Sequence, residues 1–407
     1  MAGKRRALSN LGGPVEARGD PAFRFPLVAA MEAQDSEVSP ALTHGFHAYP
    51  ARMHPAVARV LLGELSLGPG SEVLDPFCGS GTVAVEALVA GWRSLGSDLD
   101  PLALRLARVK TQRRKAKARQ RFLDRLAEVA AASTRRVRGR VDVRAKLPAK
   151  ERSWYEVHVL KELAGLLEEI RAVADERDRL ALEMVFSAIV VKFSRQRSET
   201  AERSSSKRVR KGLVTEFFVR KGEELAAAWA ELSAALPAAH HAPRFLLSDV
   251  RSLPHTLAGE YRCDLVLSSP PYGGTYDYLH HHARRHAWLG INPKQLRAKE
   301  LGARRNFSGR GRGGAPAGGR QRWDAEISAV LDTLATVLRP EGLAVLLVGD
   351  ADLAGERVAA DVQLERLAPA SELEFVAVAS QPRRDWRGGP ARREHLVALR
   401  PAGGRPH

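Results

Sequence analysis

The stretch "SEVLDPFCGSGTVAVEALVAGWRSLGSD", residues 71–98, decides the fold. An apolar run, Val73 and Leu74, ends at Asp75 and turns through Gly79 and Gly81 into helix-forming residues from Val83 to Leu88. A second strand-like run then ends at Asp98. Strand, glycine turn, helix, strand is the opening of a parallel α/β sheet. The turn fits the pattern G-x-G-x-x-A through Gly79, Gly81 and Ala84, and no lysine follows to make it a P-loop.

The acids narrow the choice of ligand. Asp75 sits at the carboxyl end of its strand, where open α/β sheets bind ligands, and Asp98 ends the next strand, where an acid holds ribose hydroxyls. A pyrophosphate is repelled by a carboxylate at Asp75, whereas a ligand carrying an ammonium and a sulfonium is attracted. Charge therefore favours S-adenosylmethionine over a nicotinamide dinucleotide.

Outward from this stretch, "RFLLSDVRSL", "CDLVLSSPPY", "GLAVLLVGD", "EFVAVASQP" and "EHLVALRP" continue the strands, giving seven in all, with a helix expected at 324–338. We expect an α/β, Rossmann-like, mostly parallel sheet in two parts, residues 39–109 and 244–402. Between them, residues 110–243 form a basic helical insert. It opens with a cation cluster containing Arg113, Arg114, Lys115, Lys117 and Arg119, candidates for nucleic-acid phosphates. Within it, Trp154, Val157, Leu160, Leu163, Leu167 and Ile170 recur at helical spacing, and residues 180–194 are apolar nearly all round. Residues 1–38 lack periodicity and are expected to be a disordered tail, and 303–323, rich in Gly and Arg, a mobile loop.

The run "SSPPY" ends its strand with two prolines, which lack N–H groups and fix φ. Exocyclic amines of nucleobases are poor nucleophiles, because the nitrogen lone pair is delocalised into the ring. Acceptors placed on the two N–H groups stabilise the positive charge that develops as the nitrogen attacks. The Ser269 hydroxyl and the Pro270 carbonyl are such acceptors, Pro270 and Pro271 hold the turn rigid, and Tyr272 offers a face for an extruded base.

Composition agrees with a polyanionic partner: 64 Lys and Arg against 47 Asp and Glu give a net charge of +17. Two cysteines, Cys78 and Cys263, supply neither a disulfide framework nor a zinc ligand set. No apolar run approaches the ~20 residues of a membrane span. The start of the chain lacks the apolar segment of a secretory signal, so a cytoplasmic protein is expected. Of His280, His281, His282 and His286, only the last two share a helix face at i, i+4, and no nearby acid completes a metal site. Solvated, backbone-facing or nucleic-acid-facing histidines are expected.

"DPFCGSGT" together with "SPPY" resembles the DNA amino-methyltransferases that modify N4 of cytosine or N6 of adenine. The resemblance covers about residues 40–110 and 244–400 and implies a class I methyltransferase fold. It implies S-adenosylmethionine contacts at Asp75, Phe77, Gly79 and Gly81, a ribose acid at Asp98 and an adenine contact at Asp249. It implies catalysis at Ser269, Pro270, Pro271 and Tyr272. The run Tyr49, Pro50, Ala51 and Arg52 looks like the segment that packs over the cofactor in cytosine-N4 members. Serine at the first catalytic position tilts the target toward cytosine N4, and the resemblance implies a restriction–modification setting. The insert departs from the family in its place along the chain. RNA guanine-N2 methyltransferases share both motif types, and a non-catalytic nucleic-acid-binding relative is the reading of another class.

Overall fold

The computed structural model describes residues 12–36, 41–50, 52–65, 67, 70–196, 208–307, 318–353, 355–383 and 392–403. In chain order the strands are β1 (Glu16–Gly19), β2 (Glu72–Asp75), β3 (Arg93–Asp98), β4 (Arg244–Leu247) and β5 (Cys263–Ser268). They continue with β6 (Leu338–Gly349), β7 (Ala351–Leu353), β8 (Glu356–Val358), β9 (Leu373–Arg383) and β10 (Arg392–Pro401). Eight of them form one sheet in the order β1-β9-β10-β6-β5-β2-β3-β4, and β7 and β8 pair separately.

The block β6-β5-β2-β3-β4 is parallel, and β10, β9 and β1 add to it antiparallel. Its strands read as continuous apolar runs because both faces are covered. Val73, Leu265, Leu267 and Val345 face one helical layer, while Leu74, Val266, Ala344 and Leu346 face the other. The chain runs outward from β2 through β3 to β4, then returns to start β5 on the other side of β2. Such a reversal opens a crevice between the carboxyl ends of the two strands.

The α/β, mostly parallel sheet is as expected, with eight strands where the pattern gave seven. The added strand, β1, is four largely exposed residues without alternation. It is held by pairing with β9, Glu16 opposite Ser380 through Gly19 opposite Ala377. The same segment corrects the expected disordered tail at 1–38. Residues 12–36 are ordered, and the helix Pro21–Ser36 buries Leu27, Ala30 and Met31 completely. Pro26 inside that helix hid the pattern, since an interior proline argues against a helix. Residues 1–11 and 37–40 lie outside the described residues.

The helix expected at 324–338 begins earlier and spans Gly319–Val337, so it takes in the end of the stretch expected to be a loop; residues 308–317 lie outside the described residues. The insert folds as the long helices Ala116–Arg138, Val157–Arg171, Glu176–Val190 and Leu213–Ala235. Its apolar core is continuous with Phe46 and Tyr49, with Leu102, Leu106 and Val109, and with Trp288 and Leu289. The insert therefore packs on both parts of the sheet domain rather than standing apart from it.

Candidate active site

The acids and the glycine turn of the crevice are placed by strand ends. At the end of β2, Gly79 (φ 47°) and Gly81 (φ 81°) take the left-handed backbone that glycine adopts without a Cβ clash. A Cβ on Gly81 would also lie 2.8 Å from the Cβ of Ala107, so the turn closes only with glycine there. At the end of β3, Asp98 buttresses that turn: it accepts hydrogen bonds from the Gly79 N–H at 2.9 Å and the Asp100 N–H at 2.8 Å.

Asp75 is buried and accepts from the Ser268 hydroxyl at 2.6 Å and the Phe77 N–H at 3.2 Å. Burial pushes its pKa up to about 7, despite both hydrogen bonds. Asp98 is likewise pushed up to about 7 by burial, with Asp100 and Asp75 as added negative neighbours. Two raised carboxylates at neighbouring strand ends are what a cationic ligand would relieve.

The contact between Ser268 and Asp75 is the hinge of the site. β2 and β5 are parallel neighbours, Val73 opposite Leu265 and Leu74 opposite Val266, so their ends lie side by side. The two sequence motifs therefore meet. One cleft is lined by Asp75, Phe77 and Gly79 at and after the end of β2, Asp98 from β3, Asp249 after β4, and Ser269 and Pro271 after β5. Tyr49 and Arg52 cover it on one side, and Tyr278, Lys299, Glu300 and Leu301 wall it on another.

Not every expected residue reaches the cleft. Gly81, Pro270 and Tyr272 do not line it. Gly81 caps the helix Thr82–Val89, and Tyr272 packs its ring on Gly349. Asp249 is there, but Arg251 grips its carboxylate at 2.9 and 2.6 Å. Burial opposes ionisation of Asp249, and the Arg251 hydrogen bonds outweigh it and hold the pKa below the ordinary value.

Several site residues were not legible. Ser268 is the unnoticed first member of a serine pair, and its signal is its place one residue before the turn. Lys299, Glu300 and Leu301 come from a segment without periodicity, and nothing in the sequence marks them. Asp100 ends the "DLD" run and accepts from His282 Nδ1 at 2.8 Å and His286 Nε2 at 2.9 Å. These two histidines are therefore buried, not solvated, and their acid comes from β3's end, far away in sequence. Burial works against ionising Asp100, but the two imidazoles outweigh it and hold the carboxyl below its ordinary range. His282 Nε2 and His286 Nδ1 have no partner among the described residues, whereas metal-bound imidazoles regularly donate their second N–H. The cluster is a hydrogen-bonded lock between the two parts of the sheet domain.

The basic candidates divide. Arg113, Lys115 and Lys117 are exposed, the first with Nη1 3.1 Å from His240 Nε2. Arg114 is buried, contrary to its assignment to nucleic-acid phosphates: it pairs with Asp178 and lies 4.3 Å over the Trp229 ring. Arg119 is half-buried and donates to the Arg114 carbonyl at 2.6 Å. A charge cluster does not reveal which cation turns inward, because the partners lie on distant helices.

The residues present fit S-adenosylmethionine. Asp75 is a buried carboxylate that accepts from two neutral groups, Ser268 and the Phe77 N–H, and suits an ammonium. Arg52 and the buried hydroxyl of Thr82, which has no hydrogen-bond partner among the described residues, line the same cleft and suit a carboxylate. Asp98 retains lone pairs for ribose hydroxyls. The sheet is Rossmann-like, and the cleft lies at the carboxyl ends of its strands where the strand order reverses.

Comparison with known proteins points the same way. Residues 46–141 match the family model "UPF0020: RMKL-like, methyltransferase domain". The chain is 41% identical over 73 residues to the type II methyltransferase M.MvaI of Kocuria varians, a match covering 17% of this chain and 16% of that protein. It is 40% identical over 52 residues to the tRNA (guanine(10)-N2)-dimethyltransferase of Methanothermobacter thermautotrophicus, covering 13% and 16%. The likeness to these curated relatives thus spans 16% of their own length. Among solved structures, TrmN from Thermus thermophilus overlaps with a TM-score of 0.35 at 16% identity, covering 86% of this chain and 49% of that one. The rRNA methyltransferase aviRa from Streptomyces viridochromogenes gives 0.34 at 14%, covering 91% and 94%. Scores this low bear on neither function nor fold detail. Among the described residues no helix is long and apolar enough to cross a membrane.

Proposed function

We propose that this protein transfers a methyl group from S-adenosylmethionine to an exocyclic amino group in DNA, at N4 of cytosine. The observation that carries the reading is the 2.6 Å hydrogen bond from Ser268 to Asp75, which seats the Ser-Pro-Pro-Tyr turn beside the cofactor acid. When bound, S-adenosylmethionine supplies an electrophilic methyl group. Asp75 holds the ammonium, Asp98 the ribose, and Arg52 with Thr82 the carboxylate. Ser269, which lines the cleft, accepts from the target amine and stabilises its growing positive charge. Fixed proline geometry reduces the reorganisation needed during transfer. The partial likeness to M.MvaI supports DNA as substrate.

Exposed cations on the insert, Lys115, Lys117, Arg121, Arg135 and Arg138, provide a basic face for the phosphate backbone. A second reading, guanine N2 in RNA, is favoured by the likeness to the tRNA dimethyltransferase. One experiment separates them. The protein is incubated with isotopically labelled S-adenosylmethionine and either unmethylated DNA or total RNA, and the labelled nucleoside is identified by mass. N4-methylcytosine in DNA is the expected product. Label on guanine in RNA alone would replace the first reading with the second, and no label in either would remove both.

A further inference from the structure

The residue that ends the catalytic turn is not fixed by its own backbone. Gly273 and Gly274 follow Tyr272 directly, and Gly274 has φ 67°, so the chain after the ring has the freedom of two glycines. Yet the ring is held. One of its faces lies on Gly349 at the end of β6, where an added Cβ would approach Cε2 to 2.6 Å, Cδ2 to 2.7 Å and Cζ to 3.2 Å. Its phenol donates to Glu394 Oε1 at 3.2 Å. The other oxygen of that carboxylate, Oε2, accepts from Arg383 Nε at 2.9 Å. Glu394 and Arg383 stand on β10 and β9, an antiparallel pair with Glu394 opposite Gln381 and Arg392 opposite Arg383. The following residues are tied too: Gly274 N–H donates to the Gly302 carbonyl at 3.0 Å, and Arg392 Nη1 to Thr275 Oγ1 at 3.1 Å.

A tyrosine used only as an apolar platform needs no partner for its hydroxyl. Here the hydroxyl is half-buried and donates to a carboxylate that is itself oriented by an arginine, which is the arrangement of a held aromatic face. We propose that Glu394, backed by Arg383, is a positioning residue that sets the plane of Tyr272 and thereby the face offered to the extruded base. This rests on the methyltransferase reading for its purpose, though not for its geometry. Glu394 touches no reacting atom, and its effect runs through the ring.

Hydrogen exchange followed by mass spectrometry on the full chain tests the anchor without any substrate. In Glu394→Ala and in Tyr272→Phe, amides of residues 272–278 should exchange about tenfold faster or more, as expected for loss of a hydrogen bond, while those of β5 stay protected. Glu394→Gln, which keeps an accepting oxygen, should recover most of that protection. With nucleic acid, both disruptive variants should lose about 10- to 100-fold in kcat, with cofactor affinity within about threefold of the unaltered protein. The double variant should be no worse than either single one. Wild-type exchange rates at 272–278 in both disruptive variants would overturn the anchor. Faster exchange with full turnover would overturn its role in positioning the base. If the unaltered protein methylates neither DNA nor RNA, the proposed function fails, and the exchange data still decide whether Glu394 holds the ring.

Discussion

Replacing Asp75 by Asn should move stability and cofactor binding in opposite directions. In the protein without ligand, burial lifts the Asp75 pKa from the ordinary 3.8 to about 7. The unfolded chain therefore binds fewer protons than the folded one between those values, and the unliganded protein loses stability as pH rises through that window. Three units correspond to roughly 4 kcal/mol at neutral pH, an upper bound on what removing the ionisable group returns. Asparagine keeps an oxygen for Ser268 but buries an amide, so a gain of about 1–3 kcal/mol is the expectation. Binding reverses the sign. The ammonium of S-adenosylmethionine loses a buried counter-ion, a cost of about 2–5 kcal/mol, or roughly 30-fold to several-thousandfold in Kd. Melting curves with and without cofactor, with calorimetric titration, read both quantities. Wild-type affinity should also fall as pH drops below 7, and Asp75→Asn should lower that slope by up to about one proton, leaving what Asp98 contributes. A variant that loses stability, or binds cofactor within threefold of the original, would refute the reasoning.

Ser268→Ala should weaken cofactor binding by about tenfold or more, because a hydrogen bond to a charged group is lost, and should shift the pH midpoint of binding upward. Calorimetry across pH checks this, and an unmoved midpoint counts against Ser268 tuning Asp75. Arg114→Ala should destabilise the fold by about 3–5 kcal/mol by stranding Asp178, visible as a lower denaturation midpoint. Lys117→Ala should leave that midpoint within about 0.5 kcal/mol and reduce the slope of log affinity for DNA against log salt by about one. Leu27→Ala should cost about 2–5 kcal/mol in chemical denaturation if the first helix belongs to the core.

How much of this was legible depends on the range of each interaction. Residues 71–98 encode strand, turn and helix in local periodicity, and the strand-end acids follow from that alone. That the two motifs belong to one site followed once both were placed at strand ends, although neither the strand order nor the bond from Ser268 to Asp75 is written in either motif. What stayed hidden depends on partners far away in sequence: the inward turn of Arg114 toward Asp178 and Trp229, the clasp of His282 and His286 on Asp100, and the tie from Tyr272 to Glu394. β1 was invisible for a related reason, since its four residues gain their conformation from the edge of β9 rather than from their own side chains. The helix Pro21–Ser36 was masked by one residue, Pro26.

Tyr49 sits over the cofactor cleft and also within the apolar cluster that fills the insert, and Trp288 joins that cluster from the helix behind the catalytic turn. The insert is thus the keystone that braces the roof of one half and the back wall of the other. A chimera that trades residues 110–243 for a foreign recognition module would collapse the chamber it was meant to redirect. Retargeting must be carved on the outer, cationic faces of these helices, with every inward side chain left as it stands.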